Sequence, residues 1–169
     1  MALEIERKFL IDLPKEAELN SHGGEYWEIV QTYLRAQSGV TARVRQVTTA
    51  GQTRYYHTEK RRVSDLTAEE NEREITDLEY LQLFQQADPA LMPIRKRRWR
   101  IPHEGHVLEV DVYPFWTKTA VLEVELDAEE EAVALPSWLT VRKDVTGDVR
   151  FKNVSLARLV PEEATLLCE

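Results

Sequence analysis

Glu4-Ile5-Glu6-Arg7-Lys8 opens the chain with acid, acid and base at every second position, while Ile5, Phe9 and Ile11 hold much of the other register. Residues two apart share one face of a β-strand. One side of this strand therefore carries two carboxylates and an ammonium, and the opposite side is largely apolar. A half-buried strand ordinarily keeps only scattered polar groups on its outer face. Paired acids followed by a base at strict spacing predict a surface that holds a metal ion and an anion together.

The pattern repeats along the chain. Arg43 and Arg45 alternate with Ala42, Val44 and Val47, and Glu72 and Glu74 lead to Ile75. Lys96, Arg98 and Arg100 alternate with Arg97, Trp99 and Ile101. Glu109 and Asp111 sit between Leu108, Val110 and Val112, and Glu123 and Glu125 between Leu122, Val124 and Leu126. The spacing predicts strands near 3–11, 27–36, 40–49, 53–63, 69–76, 93–103, 106–114 and 119–127. Turn signals separate several of them: Ser38-Gly39, Ala50-Gly51, Glu104-Gly105 and Pro114. Short connections imply antiparallel hairpins, and about eight such strands favour a closed or nearly closed barrel.

Helices are fewer. Thr76 with Glu79 reads as a capping box ahead of Leu78, Leu81, Phe84 and Ala87, with Pro89 as the stop. Asp127 with Glu130 predicts a second, short helix. Asn153 is expected to cap a third that carries Val154, Ala157 and Val160 and stops at Pro161. The segment 12–25 is left unassigned, and the tail 161–169 is expected to be loose. The expected fold is one α+β, mainly β, domain over 1–169. It is an eight-stranded antiparallel β-barrel with a few short helices packed outside.

The 169 residues suit one core, and 43% hydrophobic with 31% charged residues describe a soluble globular chain. A formal net charge of -8 argues against general attraction to nucleic acid or anionic membrane. No apolar run approaches the roughly 18 residues of a membrane span. Acids stand at once near the N-terminus, without a secretory apolar region. The only cysteine, Cys168, excludes an intrachain disulfide and a cysteine-based zinc site. A cytoplasmic location is the expectation.

Two arrangements of the charged faces are possible. An ordinary sheet would keep a dry core and display cross-strand ion pairs worth little. The inverse places the charged faces inside a barrel and the apolar faces outward, against helices and partner surfaces. The doublets favour the inverse. Glu4/Glu6, Glu72/Glu74, Glu109/Asp111 and Glu123/Glu125 sum to an acidic wall, and Arg43/Arg45 and Lys96/Arg98 to a basic one. Clustered carboxylates repel unless a cation joins them, and clustered guanidinium groups match phosphate. Hard oxygen donors select Mg²⁺ or Mn²⁺. Acidic wall, divalent metal, polyphosphate and basic wall would position a phosphoryl group and neutralise its developing charge. No Gly-rich Lys-Ser/Thr phosphate loop is present, so any phosphate must be held by side chains on strands.

These residues resemble the CYTH superfamily, the triphosphate tunnel metalloenzymes, from Met1 to about residue 158. The hallmark Glu-x-Glu-x-Lys is matched by Glu4, Glu6 and Lys8. Gln31-Thr32-Tyr33-Leu34 with Arg43-x-Arg45, then Lys60, Glu72-x-Glu74, Lys96-x-Arg98, Glu109-x-Asp111 and Glu123-Val124-Glu125 follow in family order. The ending Asp144-Val145-Thr146-Gly147-Asp148 with Arg150-Phe151-Lys152-Asn153 is similar to bacterial members. The resemblance implies a tunnel with a charged lumen and a triphosphatase, with inorganic triphosphate as the leading substrate. It implies a metal set drawn from Glu4, Glu6, Glu109, Asp111, Glu123 and Glu125. It implies a triphosphate set of Lys8, Arg43, Arg45, Lys60, Lys96 and Arg98. Lys8, Glu72 and Glu74 are the candidate catalytic residues: Lys8 for the leaving phosphate, the two acids either to position water or to pair with tunnel arginines. Departures are Asp144 in place of a usual Glu, and Lys60-Arg61-Arg62 in place of lysine-glycine.

Two rivals are a cyclase making cAMP from ATP, or a thiamine triphosphatase, on the same tunnel. A third is a non-catalytic polyphosphate or nucleotide binder. His22, His57, His103 and His106 show no metal-ligand spacing, and Trp27, Trp99, Trp116 and Trp138 are expected to pack the outer core. An apolar exterior needs cover that three short helices do not fully supply, so a homodimer is expected.

Overall fold

The computed structural model describes residues 2–169; Met1, where the family resemblance begins, lies outside them. The chain forms β1 (Ala2–Asp12), α1 (Glu16–Ser21), β2 (Glu25–Leu34), β3 (Val40–Thr49), β4 (Gln52–Arg62), β5 (Thr67–Ile75) and α2 (Asp77–Phe84). It continues through β6 (Ile94–His103), β7 (His106–Val112), β8 (Thr119–Leu126), β9 (Val141–Asp144), α3 (Asn153–Arg158) and α4 (Glu163–Leu167). The strand order is β5-β4-β3-β2-β6-β7-β8-β1, and β1 pairs again with β5, which closes an eight-stranded antiparallel barrel. The β3–β4 and β6–β7 hairpins turn on Ala50-Gly51 and Glu104-Gly105. All four of these residues have positive φ, the geometry of tight two-residue hairpin turns.

Strand β1 has two partners on one edge. Ala2–Ile5 pair with β5, and Phe9–Ile11 pair with β9. Its other edge runs along β8 from Ile5 to Asp12. Strand β9 is an element the sequence pattern did not indicate. All four of its residues are exposed, so it carries no alternation.

Outside the barrel, Phe9, Ile11, Trp99, Ile101, Leu108, Val110, Leu122 and Val124 form one apolar layer over β1, β6, β7 and β8. Leu19 of α1, together with Leu13, Val133, Leu135, Trp138 and Leu139, covers it. The segment 127–140 was expected to hold a helix and holds none. Glu131, rather than Glu130, reaches back, accepting from the Asp127 N–H at 2.9 Å. The segment then runs as irregular chain across the sheet and serves as its lid. A second layer, with Leu34, Ala42, Val44 and Ile75, is covered by Tyr80 of α2. Helix α2 starts as its sequence predicts, with Thr76 and Glu79 bonded reciprocally. Helix α3 starts at Asn153, but the Asn153 carboxamide oxygen accepts from the Tyr113 hydroxyl at 2.7 Å instead of capping the helix.

One end of the barrel interior is apolar. Leu10, Tyr33, Ile94, Tyr113 and Val121 continue the inward rows of their strands and pack with Phe151, Leu156, Ala157 and Leu166. The tail expected to be loose is therefore a helix whose Leu166 belongs to this plug. Glu163 ties α4 down by accepting backbone N–H bonds from Lys118 and Thr119 at 2.9 and 3.0 Å. Trp116, expected in the outer core, lies in this plug as well.

Candidate active site

The charged rows converge inside the barrel. A cavity of about 410 Å³ runs along the interior, lined by Glu4, Glu6 and Lys8 of β1 and by Glu123 and Glu125 of β8. Arg43 and Arg45 of β3, Thr58, Lys60 and Arg62 of β4, and Glu70 and Glu72 of β5 form the facing wall. Lys96 and Arg98 of β6, Glu109 of β7, Trp27 of β2 and Lys152 complete the lining. Twelve of the fourteen residues singled out in the sequence thus share one chamber.

The other two are Asp111 and Glu74. Asp111 is fully buried, and both its oxygens are occupied by cations. Arg98 Nε and Lys96 Nζ each lie 2.7 Å away, and a second Arg98 nitrogen lies at 2.9 Å. Burial alone would raise its carboxyl, but Arg98 and Lys96 hold it below the ordinary aspartate range. Asp111 positions the basic wall. Glu74 shares the inward parity of Glu72, but it lies past the rim, exposed, 3.9 Å from Arg54. Glu70, two residues the other way, occupies the interior place, 3.3 Å from Lys60 Nζ.

The acids press on one another. Burial first, and then Glu123, push Glu6 up to about 7 against the pull of Lys8. Burial, then Glu4, Glu109 and Glu6, raise Glu125. Burial raises Glu109 despite Arg98. Glu123 differs: against burial, Lys8, Arg98 and Lys96 hold it well below the ordinary glutamate range. Among the described residues, no three acids are gathered closely enough to ligate a metal as they stand. Even so, the donors fit a hard cation. Glu4, Glu6, Glu109 and Glu125 are oxygen ligands in one chamber, and an added positive charge relieves the repulsion that raises three of them.

The bases are crowded in the same way. Burial, and then Arg43, bring Arg45 down to about 10. Burial brings Lys96 down to about 8 although Asp111 opposes it. Lys8 donates to the Phe151 carbonyl at 3.1 Å and lies 3.2 Å from Glu123. Lys60 Nζ lies 2.7 Å from Glu4. Glu72 accepts from the Thr58 hydroxyl at 2.7 Å and from Arg45 at 3.4 Å, and those partners outweigh burial to keep it ionised. Several buried polar atoms have no partner: Nε of both Arg43 and Arg45 and Oε1 of Gln31. Unmet guanidinium donors in a buried chamber call for an anionic ligand to accept from them.

Asp144 lies in β9, where its carboxylate accepts from Arg7 at 2.6 Å on the barrel's outside. Lys143 lies 3.7 Å from Glu169, outside the cavity, whereas Lys152 lines it. The four histidines stay out of the chamber. His22 stacks on Trp138, with ring centroids 4.1 Å apart, and His106 bonds Glu131. Sequence reasoning missed Glu70, Thr58 and the inward placement of Trp27. Parity held the clue for each: Glu70 is in step with Glu72, Thr58 with Lys60, and Trp27 with Gln31.

Comparison with known proteins agrees with this geometry. Residues 2–158 match the CYTH domain. The crystal structure of the inorganic triphosphatase NE1496 is 27% identical with a TM-score of 0.59, covering 96% of this chain and 99% of that one. A conserved hypothetical protein from Pyrococcus furiosus is 25% identical with a TM-score of 0.56, covering 75% and 82%. The PH1819 protein from Pyrococcus horikoshii OT3, at 17% identity and a TM-score of 0.57 over 75% and 80%, shares the fold. No curated protein matches the chain. With its domain matched over nearly the whole sequence and its charged rows turned inward, the chain belongs to the CYTH family.

Proposed function

We propose that the protein hydrolyses a triphosphate with the help of a divalent cation, and that inorganic triphosphate, split to pyrophosphate and phosphate, is the preferred substrate. One observation carries this reading. The buried Nε groups of Arg43 and Arg45 lack partners in the same chamber as carboxylates that burial and mutual repulsion push toward protonation. The similarity to a triphosphatase at 27% identity over nearly the full length of both chains supports it.

Glu4, Glu6 and Glu125, with the open oxygen of Glu109, would hold Mg²⁺ or Mn²⁺. When bound, the ion supplies charge neutralisation on phosphate oxygens. Arg43, Arg45, Lys60, Lys96 and Arg98 bind the anion from the other walls, and the guanidinium forks fix its orientation. Lys8, with Phe151 fixing its ammonium, offers a proton-bearing cation to the departing phosphate. Glu72 is the interior acid placed to orient a water. Thr58 and Arg45 keep it ionised and immobile. Glu74, at the rim, has no part in this. The protein acts as a cytoplasmic enzyme on a small molecule, without general nucleic-acid binding.

Phosphate release from inorganic triphosphate, thiamine triphosphate, ATP and RNA, each with Mg²⁺ and with Mn²⁺, tests the proposal. Inorganic triphosphate should be turned over fastest, and Glu4→Gln or Glu125→Gln should abolish the metal-dependent release while circular dichroism stays unchanged. Full activity in either variant would refute the assignment. The appearance of cAMP from ATP would replace hydrolysis by cyclisation.

A further inference from the structure

The barrel wall has a seam. The edge of β1 that pairs with β5 up to Ile5 and with β9 from Phe9 has no strand beside Glu6–Lys8. Two loops, 63–66 and 145–148, stand there instead. The Glu6 N–H donates to the Leu66 carbonyl at 3.1 Å, the Lys8 N–H to the Thr146 hydroxyl at 3.0 Å, and the Val145 N–H to the Lys8 carbonyl at 2.9 Å. A second cavity of about 10 Å³, room for one water, lies in this seam. It shares Glu6, Lys8, Arg62 and Lys152 with the main chamber and adds Asp65 and Thr146 from the loops. The loops meet where Asp65 packs on Gly147: a Cβ on Gly147 would lie 3.0 Å from Asp65 Oδ2. Two cations border the seam without acids of their own. Lys60 is paired with Glu4 and Glu70, and Asp148 is taken by Arg150 at 2.7 Å, but neither Arg62 nor Lys152 has an ion pair among the described residues. Burial, and then Arg62, lower Lys152 from the ordinary lysine range, with Asp65 pulling the other way. Neighbouring cations left unpaired call for an anion between them.

We propose that Arg62 and Lys152 form an anion site for the released orthophosphate, at a side port of the barrel that opens when Asp65 parts from Gly147. Lys152 directly follows Phe151 of the apolar plug, so the site stands at the shut end of the interior. A phosphate set free beside Lys8 would otherwise have to leave past the remaining product. Lys8 borders both cavities, so the departing phosphate passes straight from its ammonium to the other two cations. Closed, the port admits only water. Asp65 faces the cations while the site is empty, and an arriving phosphate repels it, which couples opening to the presence of product. This rests on the triphosphatase reading and adds the route by which one product leaves.

Two measurements test this. The first is calorimetry in EDTA with inorganic phosphate and with inorganic triphosphate, on wild type, Arg62→Gln and Lys152→Gln. Phosphate affinity should fall about tenfold in either variant, the weight of one charge-assisted hydrogen bond, and triphosphate affinity by less. Retained triphosphate binding shows that the barrel has stayed folded. Equal falls for both ligands, unchanged phosphate affinity, or no phosphate binding to wild type overturns the site. The second locks the port. A Cβ on Gly147 would lie 3.7 Å from that of Asp65, within the range of a disulfide, so Asp65→Cys/Gly147→Cys is made with Cys168→Ser. With Mg²⁺ and inorganic triphosphate, the oxidised protein should form its first phosphate at the reduced protein's rate, then turn over about tenfold more slowly, with dithiothreitol restoring the later turnovers. Later turnovers as fast when oxidised as when reduced, or a first turnover slowed as much as the later ones, overturn the port. No phosphate from wild type sinks the hydrolase reading instead, and the calorimetry still decides the anion site.

Discussion

Asp111 shows how a buried carboxylate can hold the basic wall in place. Its oxygens are occupied by Lys96 and Arg98, so the cost of burying it is offset by partners that are themselves buried. Asp111→Ala would strand both cations. We predict a loss of about 3–5 kcal/mol in urea unfolding, the range for breaking a buried pair from one side. Lys96 gives a pH signature. Its folded value near 8 lies below the 10.5 of a free lysine, so the folded protein releases this proton first. Between those limits the unfolded chain binds more protons, and the contribution of Lys96 to stability rises with pH. Anion binding runs the other way, because it needs the ammonium. Affinity for inorganic triphosphate should fall from about pH 7.5 to about pH 9, and Lys96→Met should remove that part of the fall. The sequence showed Asp111 in step with Glu109 but not its partners; which carboxylates face ammonium groups depends on strand register across β6–β7.

Among the elements, the strands were legible and the connections less so. Alternation was clearest in β1, β7 and β8, where an apolar outer row backs a charged inner one; β4 and β5 carry polar outer residues as well, among them Glu59 and Arg61, and Glu69 and Arg73. The β5 row begins at Thr67, earlier than its pattern suggested, and this slides Glu70 into the chamber and Glu74 out. β9 escaped because an exposed edge strand needs no period. The helix expected after Asp127 failed because Val133, Leu135 and Trp138 satisfy the outer sheet without helical geometry. Helix α2 followed local rules, so Thr76→Ala should cost about 1 kcal/mol in thermal or urea unfolding through the lost cap. Helix α4 owes its place to packing. Leu166→Ala should cost about 2–5 kcal/mol and loosen the plug, seen as faster amide exchange in α3 and α4.

For the whole molecule, the charged interior reverses the usual division between core and surface. The stabilising apolar area lies in two outer layers and one internal plug, and only the lid of 127–140, with α1 and α2, separates those layers from water. Replacing 127–140 by a short polar linker should expose the β1/β6/β7/β8 layer and drive self-association, measurable as a rise in mass by light scattering. A linker variant that stayed monomeric and equally stable would mean the lid contributes little. No helix among the described residues is long and apolar enough to cross a membrane. The doubly partnered edge of β1 has a consequence for synthesis. Strand β1 and its acids are made before β8, so β1 can join that neighbour only after the strands between have followed, and β9 comes later still. Until then the nascent protein holds a bare hydrophobic ribbon and unpaired carboxylates with no chamber to share. Assembly should therefore be slow and nearly all-or-none, and a chain truncated before β8 would be prone to chaperone capture.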